Sequence, residues 1–135
     1  MLIVEGMLKR MEMLKSMPEL RSKLWQVTHS LQNGLRERGF DLGKTNTMVT
    51  PVYMKGDVPE ATAMVLDLRE NYHIFCSIVV YPVIPKGQII FRLIPTAVHT
   101  GEDIELTLQA FSATKTKLDA GEYRVAEIPD MAESM

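Results

Sequence analysis

The pattern of hydrophobic positions in residues 82–100 predicts a proline-marked loop, then a strand-like run with one arginine in its middle, then a turn into a helix. The odd-numbered positions of the run are apolar: Ile89, Phe91 and Leu93. Arg92 falls on the other side, between Ile90 and Ile94. Because successive side chains of a strand point to opposite faces, the pattern predicts a strand with one buried face and an arginine on its opposite face.

The arginine in this strand needs a partner or a route to solvent. A guanidinium does not deprotonate in proteins, and an unpaired buried charge is very unfavourable. Its planar fork suits a bidentate hold on a carboxylate. By spacing alone, a structural salt bridge or a half-exposed strand face is favoured over a ligand site for Arg92.

Two helices precede the first strand. Apolar side chains recur at helical spacing in residues 7–17, and Ser16 with Glu19 forms a capping-box pattern that predicts a new helix. This second helix is predicted to end near Gly39, with Trp25 beside its stripe and in the core. Its apolar stripe occupies five positions: Leu20, Leu24, Val27, Leu31 and Leu35.

Two further strands are predicted. Residues 48–54 read as a short strand, and Pro51 restricts it to a sheet edge or to a strand start. Residues 74–81 are continuous and β-branched, which predicts a largely buried strand. About six residues separate it from the strand of Arg92, so the two strands are expected to pair antiparallel, since a parallel crossover needs a dozen or more.

Capping signals mark the last two helices. Asp57 with Glu60 begins the third helix, and Thr100 with Asp103 begins the fourth. Residues 119–135 are polar and acidic and are expected to form a surface tail. The simplest packing of these elements is an α+β domain, in which helices cover one face of a small, mainly antiparallel sheet of about three strands.

Composition limits the classes of partner. A chain of 135 residues, 46% of them hydrophobic, has the size of one domain with a real core. A net charge of −2 without a basic stripe argues against nucleic acid and favours a small molecule or a protein. No segment has the length of a membrane span. The single cysteine, Cys76, excludes an internal disulfide, and we expect a cytoplasmic protein.

No complete active site is visible in the sequence. It contains no Walker pattern, no G-x-G-x-x-G after a strand and no G-x-S-x-G elbow. The three histidines are far apart and none begins a metal motif, so no metal site is expected. Chemistry that the chain lacks must therefore come from elsewhere if it takes part in a reaction.

A longer motif changes the interpretation. Residues 82–111 contain a P-x-x-P-x-G loop, an arginine five positions after the glycine and a T-A-x-H-T segment that opens the last helix. The motif positions are Pro82, Pro85, Gly87, Arg92, Thr96, Ala97, His99 and Thr100. This segment resembles the C-terminal part of the α-oxoamine synthases. These pyridoxal-phosphate enzymes include 8-amino-7-oxononanoate synthase, 2-amino-3-ketobutyrate CoA ligase, 5-aminolevulinate synthase and serine palmitoyltransferase.

Upstream landmarks agree with this resemblance, which extends over residues 7 to about 118. They are Pro18-Glu19-Leu20-Arg21, Leu24-Trp25, Gly39-Phe40-Asp41 and Thr50-Pro51-Val52. The resemblance implies that residues 1–118 form the family's small C-terminal domain, produced without the preceding large domain. That large domain holds the pyridoxal phosphate and the lysine that binds it, so no residue here is expected to be catalytic or to bind the cofactor, and the 135-residue chain is expected to be inactive alone.

The resemblance also assigns substrate contacts. Arg92 matches the arginine that binds the α-carboxylate of the amino-acid substrate, while Val83 and Pro85 match the mouth of the acyl-CoA channel. It implies an acyltransferase that condenses an amino acid with an acyl-CoA and works as a homodimer. Two alternatives stay open: the small domain of a pyridoxal-phosphate aminotransferase, and a non-catalytic α+β module that binds a small carboxylate or a partner. His99 receives no chemical role.

Overall fold

The computed structural model describes residues 2–124, which form an α+β domain. Its sheet has the order β1–β3–β2, and both pairings are antiparallel. In chain order the elements are α1 (Leu2–Ser16), α2 (Pro18–Glu37), β1 (Thr50–Lys55), α3 (Val58–Tyr72), β2 (Ser77–Val79), β3 (Gln88–Leu93) and α4 (Gly101–Asp119). This architecture confirms the predicted fold class and number of strands.

The central strand β3 organises the core. Ile89, Phe91 and Leu93 are buried, as their alternation predicts, and they join a cluster with apolar side chains of α2, α3 and α4. Phe91 meets Phe111 of α4 edge-to-face, with ring centroids 5.9 Å apart. Such a contact contributes beyond the burial of area alone. These three helices therefore cover the face of the sheet that carries these side chains.

The edge strands differ from each other in how well the sequence predicts them. Pro51 lies in β1, which is an edge strand, so the prediction from proline is confirmed. The prediction of a largely buried strand over residues 74–81 is wrong. The strand β2 has only three residues, all half-buried, and Phe75 is 85% exposed. The apolar run does not reveal that β2 is an edge strand, which pairs on one side only. The predicted antiparallel pairing of this strand with β3 is confirmed.

The junction of the first two helices also differs from the prediction. The helix α1 begins at Leu2 rather than at residue 7, and the predicted capping box of Ser16 with Glu19 does not form. Ser16 stays in the last turn of α1, where its hydroxyl donates to the carbonyl of Met13 at 3.3 Å. Met17 takes the N-cap position without a side-chain hydrogen bond. No residue of α1 is buried.

The helix α2 ends as predicted at a glycine. Gly39 has a φ of +78°, and the amide of Phe40 donates to the carbonyl of Leu35 at 3.1 Å, as in a Schellman motif. The apolar stripe is buried only in its second half, while Leu20 is 48% exposed. The prediction that Trp25 lies in the core is wrong, because it is half-buried and stacks on His29.

The helices α3 and α4 begin with the predicted capping boxes. The Asp57 carboxylate accepts from the amide of Glu60 at 2.9 Å, and the Glu60 carboxylate accepts from the amide of Asp57 at 3.0 Å. Thr100 and Asp103 exchange the equivalent bonds at 3.2 and 2.7 Å. Both helix starts are therefore fixed by local signals that the sequence carries.

Packing continues past the end of α4. Tyr123 is 9% exposed and belongs to the core cluster, and the guanidinium of Arg124 lies 3.3 Å from the carboxylate of Glu60. Folded contacts thus reach beyond position 118, where the sequence analysis places the end of the domain. The remainder of the expected tail, residues 125–135, lies outside the described residues.

Candidate carboxylate site on the open face of the sheet

The face of the sheet opposite the core is open, and its side chains lie in rows set by the strand register. Pro51, Arg92 and Ser77 lie side by side in one row. The next row is apolar and consists of Tyr53, Ile90 and Val79. All of these side chains are exposed or half-buried. A basic group thus stands at one end of an accessible, mainly apolar surface.

Arg92 is exposed in this row and has one side-chain hydrogen bond within residues 2–124. Its Nε–H donates to the hydroxyl oxygen of Ser77 at 3.1 Å. No carboxylate of the described chain lies within the 4.0 Å of a salt bridge to Arg92. The sequence favoured either a structural salt bridge or a half-exposed strand face for Arg92. Within the described residues there is no salt bridge to this arginine, and Arg92 occupies an exposed strand position.

The other two proposed contact residues lie at the opposite end of β3. Val83 is 79% exposed and Pro85 is exposed, in the loop between β2 and β3. Arg92 is four residues beyond Gln88, where β3 begins, which corresponds to about 13 Å along a strand. The structure therefore does not bring the arginine and the loop into contact.

The loop between Tyr81 and Gly87 is held by its own contacts. The amide of Val83 donates to the carbonyl of Val80 at 3.1 Å. The ammonium of Lys86 stands 5.1 Å from the centre of the Tyr81 ring, within the range of a cation–π contact. These contacts shape the loop and leave the side chain of Val83 directed to solvent.

The turn after β3 is fixed by His99, for which sequence reasoning found no chemistry. The amide of Thr96 donates to His99 Nδ1 at 2.9 Å, so this nitrogen carries no proton and the neutral ring is protonated on Nε2. Hydrogen bonds from the Thr100 backbone and side chain lower the pKa of Asp103. Both contacts hold the chain between the strand of Arg92 and α4.

Sequence reasoning missed Ser77 as a partner of Arg92. The two residues are 15 positions apart, and their proximity depends on the register of β2 on β3. No motif predicts that register. The only available signal was the antiparallel hairpin itself, which limits the facing residues to a few positions.

The chain has close relatives among proteins of known name, although no protein-family model matches it. It is 63% identical over 92% of its length to a cysteate-C-fatty acyltransferase of Capnocytophaga ochracea. It is 36% identical over 87% of its length to an 8-amino-7-oxononanoate synthase of Exiguobacterium sibiricum. In both comparisons the chain spans only about 30% of the relative's length.

Two solved structures have the same fold as this chain. A serine palmitoyltransferase of Sphingomonas wittichii matches 74% of the chain with a TM-score of 0.63 and 27% identity. An 8-amino-7-oxononanoate synthase of Francisella tularensis matches 84% of the chain with a TM-score of 0.69, and at 19% identity it supports the fold alone. The chain covers 25% and 32% of these two proteins.

These findings define the class of protein. The fold is that of the small domain of serine palmitoyltransferase, a pyridoxal-phosphate enzyme. More particularly, the chain is homologous to part of the α-oxoamine synthases, which confirms the resemblance read from its sequence.

Two lysines of α4 do not offer a free amine to pyridoxal phosphate. A lysine that binds this cofactor covalently must lose its proton. The ammonium of Lys117 lies 2.7 Å from the carboxylate of Asp67, and this hydrogen bond raises the pKa of Lys117. Lys115 is paired in the same way with Asp119 at 2.6 Å. Within residues 2–124 there is also no cluster of three potential metal ligands and no helix long and apolar enough to cross a membrane.

Proposed function

We propose that this chain is the small domain of a pyridoxal-phosphate-dependent acyltransferase, in which Arg92 binds the α-carboxylate of an amino-acid substrate. One observation carries the proposal. The Arg92 guanidinium is exposed on the open face of the sheet, and within residues 2–124 no carboxylate pairs with it. A cation held in this way is ready for an anion supplied from outside the domain.

The relatives favour a particular pair of substrates. The relative that is 63% identical is named for fatty-acyl transfer to cysteate, whereas the identity to an 8-amino-7-oxononanoate synthase is 36%. We therefore propose cysteate as the amino acid and a fatty acyl-CoA as the acyl donor. These names also favour acyl transfer over the aminotransferase alternative.

The proposed division of labour leaves the covalent chemistry to another part of the enzyme. Bound pyridoxal phosphate would serve as the electron sink for the amino acid, and we place it on a large domain outside these 135 residues. Arg92 contributes orientation, because holding the carboxylate fixes how the other bonds at Cα stand relative to the cofactor. Val83 and Pro85 are placed along the acyl chain, at the loop end of the open face.

Assembly and location complete the proposal. The intact enzyme is proposed to be a cytoplasmic homodimer whose large domain covers the open face. A reducing compartment agrees with Cys76, which is buried and free, and whose pKa burial raises to about 11. A thiol with such a pKa is a poor nucleophile at neutral pH, so no role in acyl transfer is assigned to it.

The test uses an enzyme in which this chain replaces the matching segment of the Capnocytophaga ochracea relative. Arg92→Ala is expected to raise the KM for cysteate by about 10- to 100-fold, since hydrogen bonds to a charged group contribute about 1.5–3 kcal/mol. The KM for the acyl donor is expected to change less than about twofold. Arg69→Ala is the matched control, because Arg69 is exposed on α3. Equal increases in both KM values would contradict the carboxylate role.

A further inference from the structure

The hydrogen bond between Arg92 and Ser77 joins two residues that face each other across β2 and β3. They are register partners in the antiparallel pair, and both lie on the open face of the sheet. The Nε–H of Arg92 donates to the hydroxyl oxygen of Ser77 at 3.1 Å. Directly opposed side chains of an antiparallel pair interact through such contacts.

This contact leaves a defined part of the guanidinium free. A guanidinium has one N–H on Nε and two on each terminal nitrogen. A carboxylate binds it side-on, through Nε and one terminal nitrogen, or end-on, through both terminal nitrogens. Because Ser77 occupies Nε, only the end-on mode remains available while that bond is intact.

The choice of serine is not explained by strand formation. Ile78, Val79 and Val80 follow it and are all β-branched, as is typical of a strand, whereas serine is not among the residues enriched there. Within residues 2–124 the side-chain hydrogen bond of the Ser77 hydroxyl is the one with Arg92, so the serine satisfies no core group. Its hydroxyl is accounted for by the contact with Arg92.

We propose that Ser77 is a positioning residue that holds Arg92 for end-on binding of the substrate carboxylate. This inference rests on the proposed function and names a residue that determines the geometry of the same site. Ser77 itself does not touch the substrate. It restricts the rotamers of a long, flexible side chain, so that the clamp is already formed before the amino acid arrives.

The first test is kinetic and uses the same chimeric enzyme. Ser77→Ala is expected to raise the KM for cysteate by about three- to tenfold, which is the range of a typical hydrogen bond, because Arg92 keeps its own contacts with the carboxylate. The KM for the acyl donor is expected to stay unchanged. Ser77→Thr keeps the hydroxyl and is expected to restore the KM for cysteate. Ser30→Ala on the exposed surface of α2 is the matched control. An unchanged KM in Ser77→Ala, or equal defects in the alanine and threonine variants, would overturn the proposal.

The second test needs no activity and uses the 135-residue chain itself. The exchange of the Arg92 Nε proton with water is followed by ¹⁵N NMR. Ser77→Ala is expected to accelerate this exchange by about threefold or more, and Ser77→Thr is expected to return it to the original rate. Identical exchange rates in all three proteins would overturn the contact on which the inference depends.

The two tests separate the inference from the proposed function. If Arg92→Ala leaves the KM for cysteate unchanged, the carboxylate role of Arg92 fails and the role of Ser77 fails with it. If Arg92→Ala raises that KM and Ser77→Ala does not, the inference about Ser77 fails alone. If Arg92→Ala and Ser77→Ala both raise the KM for cysteate, and Ser77→Thr restores it, the proposed function and the inference about Ser77 are both supported.

Discussion

The phenol of Tyr123 donates a hydrogen bond to the carboxylate of Asp67, which lies 56 positions earlier in the chain. Lys117 and Asn71 also donate to this carboxylate, each at 2.7 Å. Burial acts to raise the pKa of Asp67, but the three hydrogen bonds outweigh it and the pKa is lowered. Asp67 is therefore a charged acceptor at neutral pH, and it fastens the segment after α4 to α3.

Tyr123→Phe removes one donor from this carboxylate and keeps the ring in the core. We expect the free energy of unfolding to fall by about 1–2 kcal/mol, because a half-buried acceptor loses a charge-assisted bond while two others remain. Urea unfolding measures the change. Tyr81→Phe is the control, since Tyr81 is 51% exposed, and an equal loss in both variants would contradict the role of the Asp67 contact.

Because the pKa of Asp67 is lowered in the folded state, the free energy of unfolding depends on pH in the acidic range. The stabilisation is fully present above the ordinary value of 3.8 and is lost as the pH falls through the lower pKa of the folded state. We expect Asp67→Asn to be less stable at pH 7 and to lose less further stability than the original chain between pH 5 and about pH 2.5. Urea unfolding across this range is the measurement, with the exposed Glu37→Gln as control. Parallel pH profiles for Asp67→Asn and the original chain would exclude this linkage.

Local signals account for what the sequence predicted correctly. Period-two alternation placed Phe91 in the core, and the capping pair of Asp57 with Glu60 located a helix start, because each depends on residues within a few positions. The long-range contacts of the site and of the core are of another kind. Ser77 meets Arg92, and Tyr123 meets Asp67, only after strand register and helix packing are set. No local pattern contains that information.

The first helix is expected to contribute little to the stability of the domain. No residue of α1 is buried, and Leu2, Leu8 and Leu14 are all more than half exposed. Since most helical stability in proteins comes from packing, removal of residues 1–16 is expected to change the free energy of unfolding by less than about 0.5 kcal/mol. Amide hydrogen exchange is expected to be faster in α1 than in α2. Protection of α1 equal to that of Val27–Leu35 would show that its apolar side chains are covered in solution.

Gly39 is predicted to be sensitive to substitution for reasons of backbone conformation alone. Its φ is +78°, yet an added Cβ would meet no atom within 4 Å. Gly39→Ala is therefore expected to destabilise the chain by about 1–2 kcal/mol through left-handed strain at the end of α2. Gly101→Ala is the matched control, because Gly101 has equally open space and no positive φ. Thermal unfolding compares the two, and a similar loss in both would refute backbone strain as the cause.

The chain alone is expected not to take up pyridoxal phosphate at one defined lysine. Lys117 is held as an ammonium by Asp67, and Lys115 is paired with Asp119, so neither presents the free amine that covalent binding requires. Borohydride reduction followed by peptide mass spectrometry is expected to find weak labelling spread over exposed lysines. The chimeric enzyme, as the control, is expected to carry one cofactor per chain on a lysine outside residues 1–135. Stoichiometric labelling of a single lysine in the 135-residue chain would contradict the placement of the cofactor on a separate domain.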